Sequence, residues 1–189
     1  MNAYRIKSIT NTHELPDLNV VTLAEKLGNS ELYMRLLDQP HSNESLLSLW
    51  KEISCTATSY YRDQPYPDVS LWNGPYLILS KSAKEVLYCD LKAQGEFLPI
   101  QIGDSSYFIF NCLEFGIENE DSTEIEYEDG FEVGVTSLEF KSNDIEEKPI
   151  FKSKLEGSRT LFATDRFKQH FDSGKLSGLR FDTNLLEIF

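Results

Sequence analysis

Hydrophobic and polar residues alternate through Tyr4-Arg5-Ile6-Lys7-Ser8-Ile9, the spacing of an opening strand. After the turn signal Leu15-Pro16-Asp17 the period lengthens. From Val20, the residues Leu23 and Leu27, then Leu32, Leu36 and Leu37, recur at helical intervals. Gly28-Asn29-Ser30 separates two helices, with Ser30 as the cap of the second and Pro40 as its end. Ser42 or Asn43 is placed to cap a third helix carrying Leu46, Leu47, Trp50 and Ile53 on one face. The first third, to about residue 59, therefore reads as mostly helical. A Tyr- and Pro-rich connector follows over 60–67.

Residues 67–87 organise what comes next. Asn73-Gly74-Pro75 punctuates the entry, Tyr76-Leu77-Ile78-Leu79 is an apolar run of strand length, and Ser80 or Ser82 caps a helix. Ser82 with Glu85 fits a capping box. That helix is expected to end near Tyr88. Phe97-Leu98-Pro99-Ile100-Gln101-Ile102 alternates as a strand, Gly103-Asp104-Ser105-Ser106 turns, and Tyr107 to Leu113 returns, the strongest hairpin signal in the chain. Glu124-Ile125-Glu126-Tyr127-Glu128 alternates acid with apolar residue, as an edge strand does when it shows its acids to water. Asp129-Gly130 turns it into Phe131-Glu132-Val133-Gly134-Val135. Two more short strands, 137–140 and 149–152, flank an acidic loop. Thr160-Leu161-Phe162-Ala163 is again a strand, Thr164 a cap, and Asp165 suits the positive end of a helix whose face carries Phe167, His170 and Phe171. Leu179-Arg180-Phe181 begins the last strand. The order strand, hydroxyl cap, short helix, Leu, Gly, Phe strand thus occurs twice, over 77–97 and 161–181.

These elements predict an α+β fold, a mixed or antiparallel sheet with short strand–helix–strand units and a helical N-terminal part. At 189 residues the chain fits one domain, 1–189. A chain of this size buries roughly 70% of its unfolded surface and needs no staple. Thirty-one acids against eighteen bases leave a formal charge of −13. Phosphate backbones and anionic membranes bind clustered Lys and Arg, so nucleic acid and membrane are not expected as partners. The acids concentrate: ten lie between Cys112 and Phe140, with no Lys or Arg among them. Cys55, Cys89 and Cys112 are odd in number and widely spaced, which signals neither a disulfide framework nor a zinc site. The amino-terminal residues lack a signal-peptide apolar core and no stretch approaches membrane-span length, so a cytoplasmic location is expected.

Candidate chemistry is sparse. His13, His41 and His170 are isolated, with no His-x-x-x-His pair, and His170 falls on the apolar face of its helix, the place of a core or partly buried histidine. No nucleophile elbow or phosphate loop is present. Cys112 ends a strong strand, where a nucleophile can sit, yet free cysteines are mostly small core residues. No catalytic, metal or cofactor residues are assigned, and no enzymatic activity is expected. Glu124, Glu126, Glu128 and Asp129 are the candidate partner-binding residues; the plain alternative is a solvated acidic face.

Several stretches together resemble a known family. They are the whole of 67–87, Glu96-Phe97-Leu98-Pro99-Ile100, Tyr107-Phe108-Ile109-Phe110-Asn111, Pro149-Ile150-Phe151, the run from Thr160 to Phe167, and Gly178-Leu179-Arg180-Phe181. Over about 67–181 the chain resembles the eleventh immunity-protein class of bacterial polymorphic toxin systems, formerly a domain of unknown function. The helical part over about 1–59 lies outside that likeness. The resemblance implies an antidote that binds and neutralises a cognate toxin, encoded beside it and used in interbacterial competition. It brings no catalytic residues. A binding or scaffold module without a toxin partner, and a small hydrolase using Cys112, are the other readings.

Overall fold

A computed structural model describes residues 1–9, 16–57 and 66–188. Strand β1 (Ala3–Ser8) is followed by helices α1 (Val20–Leu27) and α2 (Leu32–Ser42) and by the short strand β2 (Ile53–Cys55). A hairpin of β3 (Val69–Trp72) and β4 (Tyr76–Ser80) leads into α3 (Lys81–Leu91). A second hairpin, β5 (Gly95–Ile102) and β6 (Ser105–Cys112), comes next. Then follow the ribbon β7 (Glu124–Glu128) and β8 (Phe131–Ser137), the single-turn helix α4 (Ser142–Ile145) and β9 (Ile150–Lys152). β10 (Leu161–Thr164), α5 (Asp165–Ser173) and β11 (Leu179–Asp182) complete the order. The fold is α+β, with five helices and three sheets, one mixed and two antiparallel, among the described residues.

The two larger sheets are built on one plan. In the first, ordered β3-β4-β6-β5-β2, the strands β4 and β5 both run antiparallel to β6 between them, so they are parallel to each other and α3 crosses over. In the second, ordered β9-β10-β1-β11, β10 and β11 both run antiparallel to β1, and α5 crosses over. Each unit also carries an antiparallel neighbour, β3 or β9, on its outer side. The twofold pattern over 77–97 and 161–181 is therefore a repeated split strand–helix–strand unit. The inserted strand comes from the following hairpin in one copy and from the opening of the chain in the other.

Packing follows from this plan. One face of each sheet meets α3 and α5 in a shared core of Val69, Leu77, Leu79, Leu87, Phe110, Ile150, Leu161, Phe167 and Phe171. The opposite face of the first sheet, with Ile78, Leu98, Ile100 and Ile109, is covered by Leu23, Leu27 and Leu36 of α1 and α2. The opposite face of the second sheet puts Phe151 and Phe162 under Leu138, Phe140 and Ile145. Burial of each such side chain contributes about 1.5–3 kcal/mol.

Several sequence expectations are corrected. The third helix is absent: Asn43 takes the left-handed conformation (φ 55) and ends α2, and Ile53 lies in β2, paired in parallel with Ile100. Tertiary hydrogen bonds override the helical spacing there, because Glu96 accepts from the Leu46 amide and the Trp50 indole donates to the Pro99 carbonyl. Leu47, expected on the apolar face, is 57% exposed. Pro40 does not end α2; it sits buried in the last turn, and the helix runs on to Ser42. Ser30 is not the cap, since Glu31 holds that position without a side-chain bond. Ser80 caps α3 by accepting from the Ala83 amide, so the Ser82–Glu85 box does not form. Thr164 occupies the cap position of α5 but turns its hydroxyl to the Pro149 carbonyl. Residues 137–140 form no separate strand, and the acidic loop contains α4. The connector over 60–65, Leu15 of the first turn signal and His13 lie outside the described residues.

Polar groups dock α2 onto this frame. The Lys152 ammonium is fully buried and donates to the Pro40 carbonyl at 3.0 Å and to Asn43 Oδ1 at 2.6 Å, capping the helix C-terminus. It also lies 4.6 Å from the Phe115 ring centre. No carboxylate pairs with it among the described residues, and burial pushes its pKa down from 10.5 to about 8. Between those values the unfolded chain binds the proton that the folded chain has released, so this group adds stability as pH rises through the window. Wild type should accordingly gain about 3 kcal/mol relative to Lys152→Met between pH 8 and 10.5. Parallel urea titrations of the two proteins check this, and a constant difference across the window contradicts it.

Candidate functional site

Strands β7 and β8 form a sheet of their own, paired only with each other. Asp129 (φ 51) and Gly130 (φ 84) make the tight turn between them, consistent with the twist that such two-residue loops favour. The register slips between Glu124 and Ile125 and again between Glu126 and Tyr127, and such bulges raise the local twist. The base of the ribbon is anchored. Val135 and Leu138 pack on the Phe140–Phe151–Phe162 cluster, Ser137 Oγ donates to the Ser122 carbonyl, and Thr123 Oγ1 donates to the Glu139 carbonyl.

Beyond that base the ribbon stands in solvent. Glu124, Glu126, Glu128 and Asp129 are all exposed, and none of the four has an ion-pair partner among the described residues. Strand alternation puts the three glutamates on one side, with Ile125 and Tyr127 on the other. The four sequence-predicted residues thus lie along one strand of this ribbon and its turn, from Glu124 at the base to Asp129 at the tip. The structure adds three that sequence reasoning missed: Tyr127, Phe131 and Val133 are 62%, 75% and 52% exposed. The signal for Phe131 was present, an aromatic residue directly after an Asp-Gly turn in a segment otherwise rich in acids. The ribbon thus combines edges paired with no other strand, clustered acids and uncovered apolar side chains.

The other chemical candidates occupy different surroundings. Cys112 is fully buried on β6, its thiol directed at the Glu114 and Ile150 carbonyls. Burial pushes that thiol up to about 12, which keeps it neutral and unreactive at physiological pH. For His170, expected in the core or partly buried, the structure shows a side chain 49% exposed. Its Nδ1 meets Asp90 Oδ2, and Arg166 Nε reaches Asp90 Oδ1 at 2.8 Å. Asp90 is buried, so the three side chains clamp α5 to α3. No hydroxyl or thiol nucleophile is hydrogen-bonded to this His–Asp pair among the described residues. His41 is exposed in the last turn of α2.

Asp165 has a role beyond the helix dipole. Its carboxylate accepts from the Asn2 amide at 2.8 Å and from the Tyr4 hydroxyl at 2.9 Å, and these bonds hold its pKa below the usual carboxylate value. They tie the start of β1 to the start of α5. Among the described residues no group of three or more His, Cys, Asp or Glu is placed to hold a metal ion, and no helix is long and apolar enough to cross a membrane. No protein-family model matches the chain, and no curated protein matches it.

Proposed function

We propose that the protein acts by binding rather than catalysis, as an immunity protein that neutralises a cognate bacterial toxin through the β7–β8 ribbon. The observation that carries this reading is the ribbon itself. It is paired with nothing else, it carries Glu124, Glu126, Glu128 and Asp129 with no counter-ions among the described residues, and it leaves Phe131 uncovered at its tip. Such a surface fits a basic groove on the toxin, with the aromatic residue as anchor and the acids steering the encounter. Steering of this kind raises association rates ~10–1000-fold and weakens with salt over a Debye length of about 8 Å. A stable complex would bury about 1,600 Å² in total.

The test uses the product of the neighbouring gene. Titration against it should give a 1:1 complex that the triple variant Glu124→Lys, Glu126→Lys, Glu128→Lys weakens about 100-fold or more. All three positions are exposed, so thermal unfolding should be unchanged. Full affinity in the triple variant removes the ribbon from the contact.

A further inference from the structure

A second surface has the opposite electrostatic character. Where β1 ends against the β3–β4 turn there is a cleft of about 430 Å³, within the size range of small-ligand pockets. Four of the eighteen Lys and Arg residues line it: Arg5, Lys7, Arg159 and Arg180. In a chain of charge −13 that concentration of cations is unexpected.

Two of the four are built into the wall. Arg5 is 12% exposed and donates to Glu156, to the Leu185 carbonyl and to Thr160 Oγ1. Lys7 is 6% exposed and pairs with Asp182 at 2.8 Å. Register places Arg180 directly across from Lys7 on β11. The remaining two, Arg159 and Arg180, are exposed and form no direct ion pair among the described residues, although Asp182 beside Lys7 also feels the Arg180 charge. Arg159 is nevertheless positioned, because Nη2 donates to the Leu37 carbonyl at 2.8 Å and its stem lies against Gly74. Leu71 and the exposed Ile188 give the cleft apolar walls, and Ser8 and Asn73 supply neutral polar groups.

Guanidinium groups gathered in one concave site repel each other until an anion enters, and their planar forks match phosphate oxygens two at a time. We infer that this cleft binds a small organic phosphate, with the phosphate between Arg159 and Arg180 and the organic body against Leu71 and Ile188. This site is separate from the acidic ribbon and does not depend on the toxin-binding reading.

Calorimetric titration with AMP tests it, beside inorganic phosphate and adenosine. AMP should bind saturably with a Kd of roughly 0.1 mM or tighter, inorganic phosphate more weakly, and adenosine not at all. Arg159→Gln and Arg180→Gln should each weaken AMP roughly tenfold, and thermal unfolding of unliganded Arg180→Gln, which loses no hydrogen bond to the frame, should stay that of wild type. Absence of saturable AMP binding overturns the proposal. So does binding that both substitutions leave intact, binding of adenosine as tight as AMP, or inorganic phosphate as tight as AMP.

Discussion

Glu96→Ala should cost the protein about 3–5 kcal/mol, enough to leave much of it unfolded at ambient temperature. Glu96 is a buried carboxylate on β5, only 6% exposed, and it serves three donors. Oε1 accepts from the Leu46 amide at 2.7 Å and from Asn111 Nδ2 at 2.9 Å, and Oε2 accepts from Ser45 Oγ at 2.6 Å. Truncation leaves the buried Leu46 amide and Asn111 Nδ2 without acceptors, at about 1–3 kcal/mol each before relaxation, while exposed Ser45 can turn to water. It also frees the segment after α2 from the sheet that it caps. Glu96→Gln keeps an acceptor on the Oε1 side and should lose clearly less. Urea unfolding of both variants measures this; a loss below about 1 kcal/mol for Glu96→Ala contradicts the assignment.

Gly178→Ala should be nearly as damaging, about 3 kcal/mol or more, for a different reason. The residue precedes β11 with φ 105, a conformation that side chains with a Cβ rarely adopt. A Cβ here would sit 2.0 Å from the Val69 carbonyl oxygen and 2.6 Å from Pro67 Cβ. That close approach is where the two sheets join, since the Val69 amide donates to the Ser177 carbonyl and Asp68 accepts from Ser177. The substitution has to push β3 and β11 apart. Gly134→Ala is the matched control, because nothing lies within 4 Å of its Cβ position, and it should shift stability by less than about 0.5 kcal/mol. Equal midpoints for Gly178→Ala and Gly134→Ala would remove this contact from the account.

Much of the fold was legible because its signals are local. β5 and β6 alternate strongly around a short turn, and α1 carries both its apolar spacing and the Gly28 stop. The repeated strand–cap–helix order marked the two strand–helix–strand units, though not the strand inserted into each. What stayed hidden is non-local. β2 is three residues long and looked like a helix face, because Leu46, Trp50 and Ile53 fit a period that Glu96 and Pro99 override from elsewhere in the chain. β3 is only four residues long and ends at the Asn73-Gly74-Pro75 turn, so the sequence reading assigned it no strand. That β1 would insert between β10 and β11 has no sequence mark at all. The acids of the ribbon were readable as a cluster in sequence. Its exposed Phe131 and Val133 were read only as strand residues, because alternation does not say whether either face of a two-stranded ribbon is covered. The cationic cleft was invisible for the plainest reason: Arg5 and Arg180 stand at opposite ends of the chain.

In the proposed reading the ribbon makes the contact; the frame roots Val135 and Leu138 in the outer core and leaves the tip free. The direct measurement is protection. The neighbouring gene is expressed in a sensitive host with the wild-type protein or with a variant whose residues 126–134 are replaced by a short Gly-rich turn, which leaves Val135 in place. Growth with wild type and killing with the equally abundant, equally stable variant is the predicted result. Growth with both, or killing with both, contradicts the claim that this protein neutralises a toxin through its acidic ribbon.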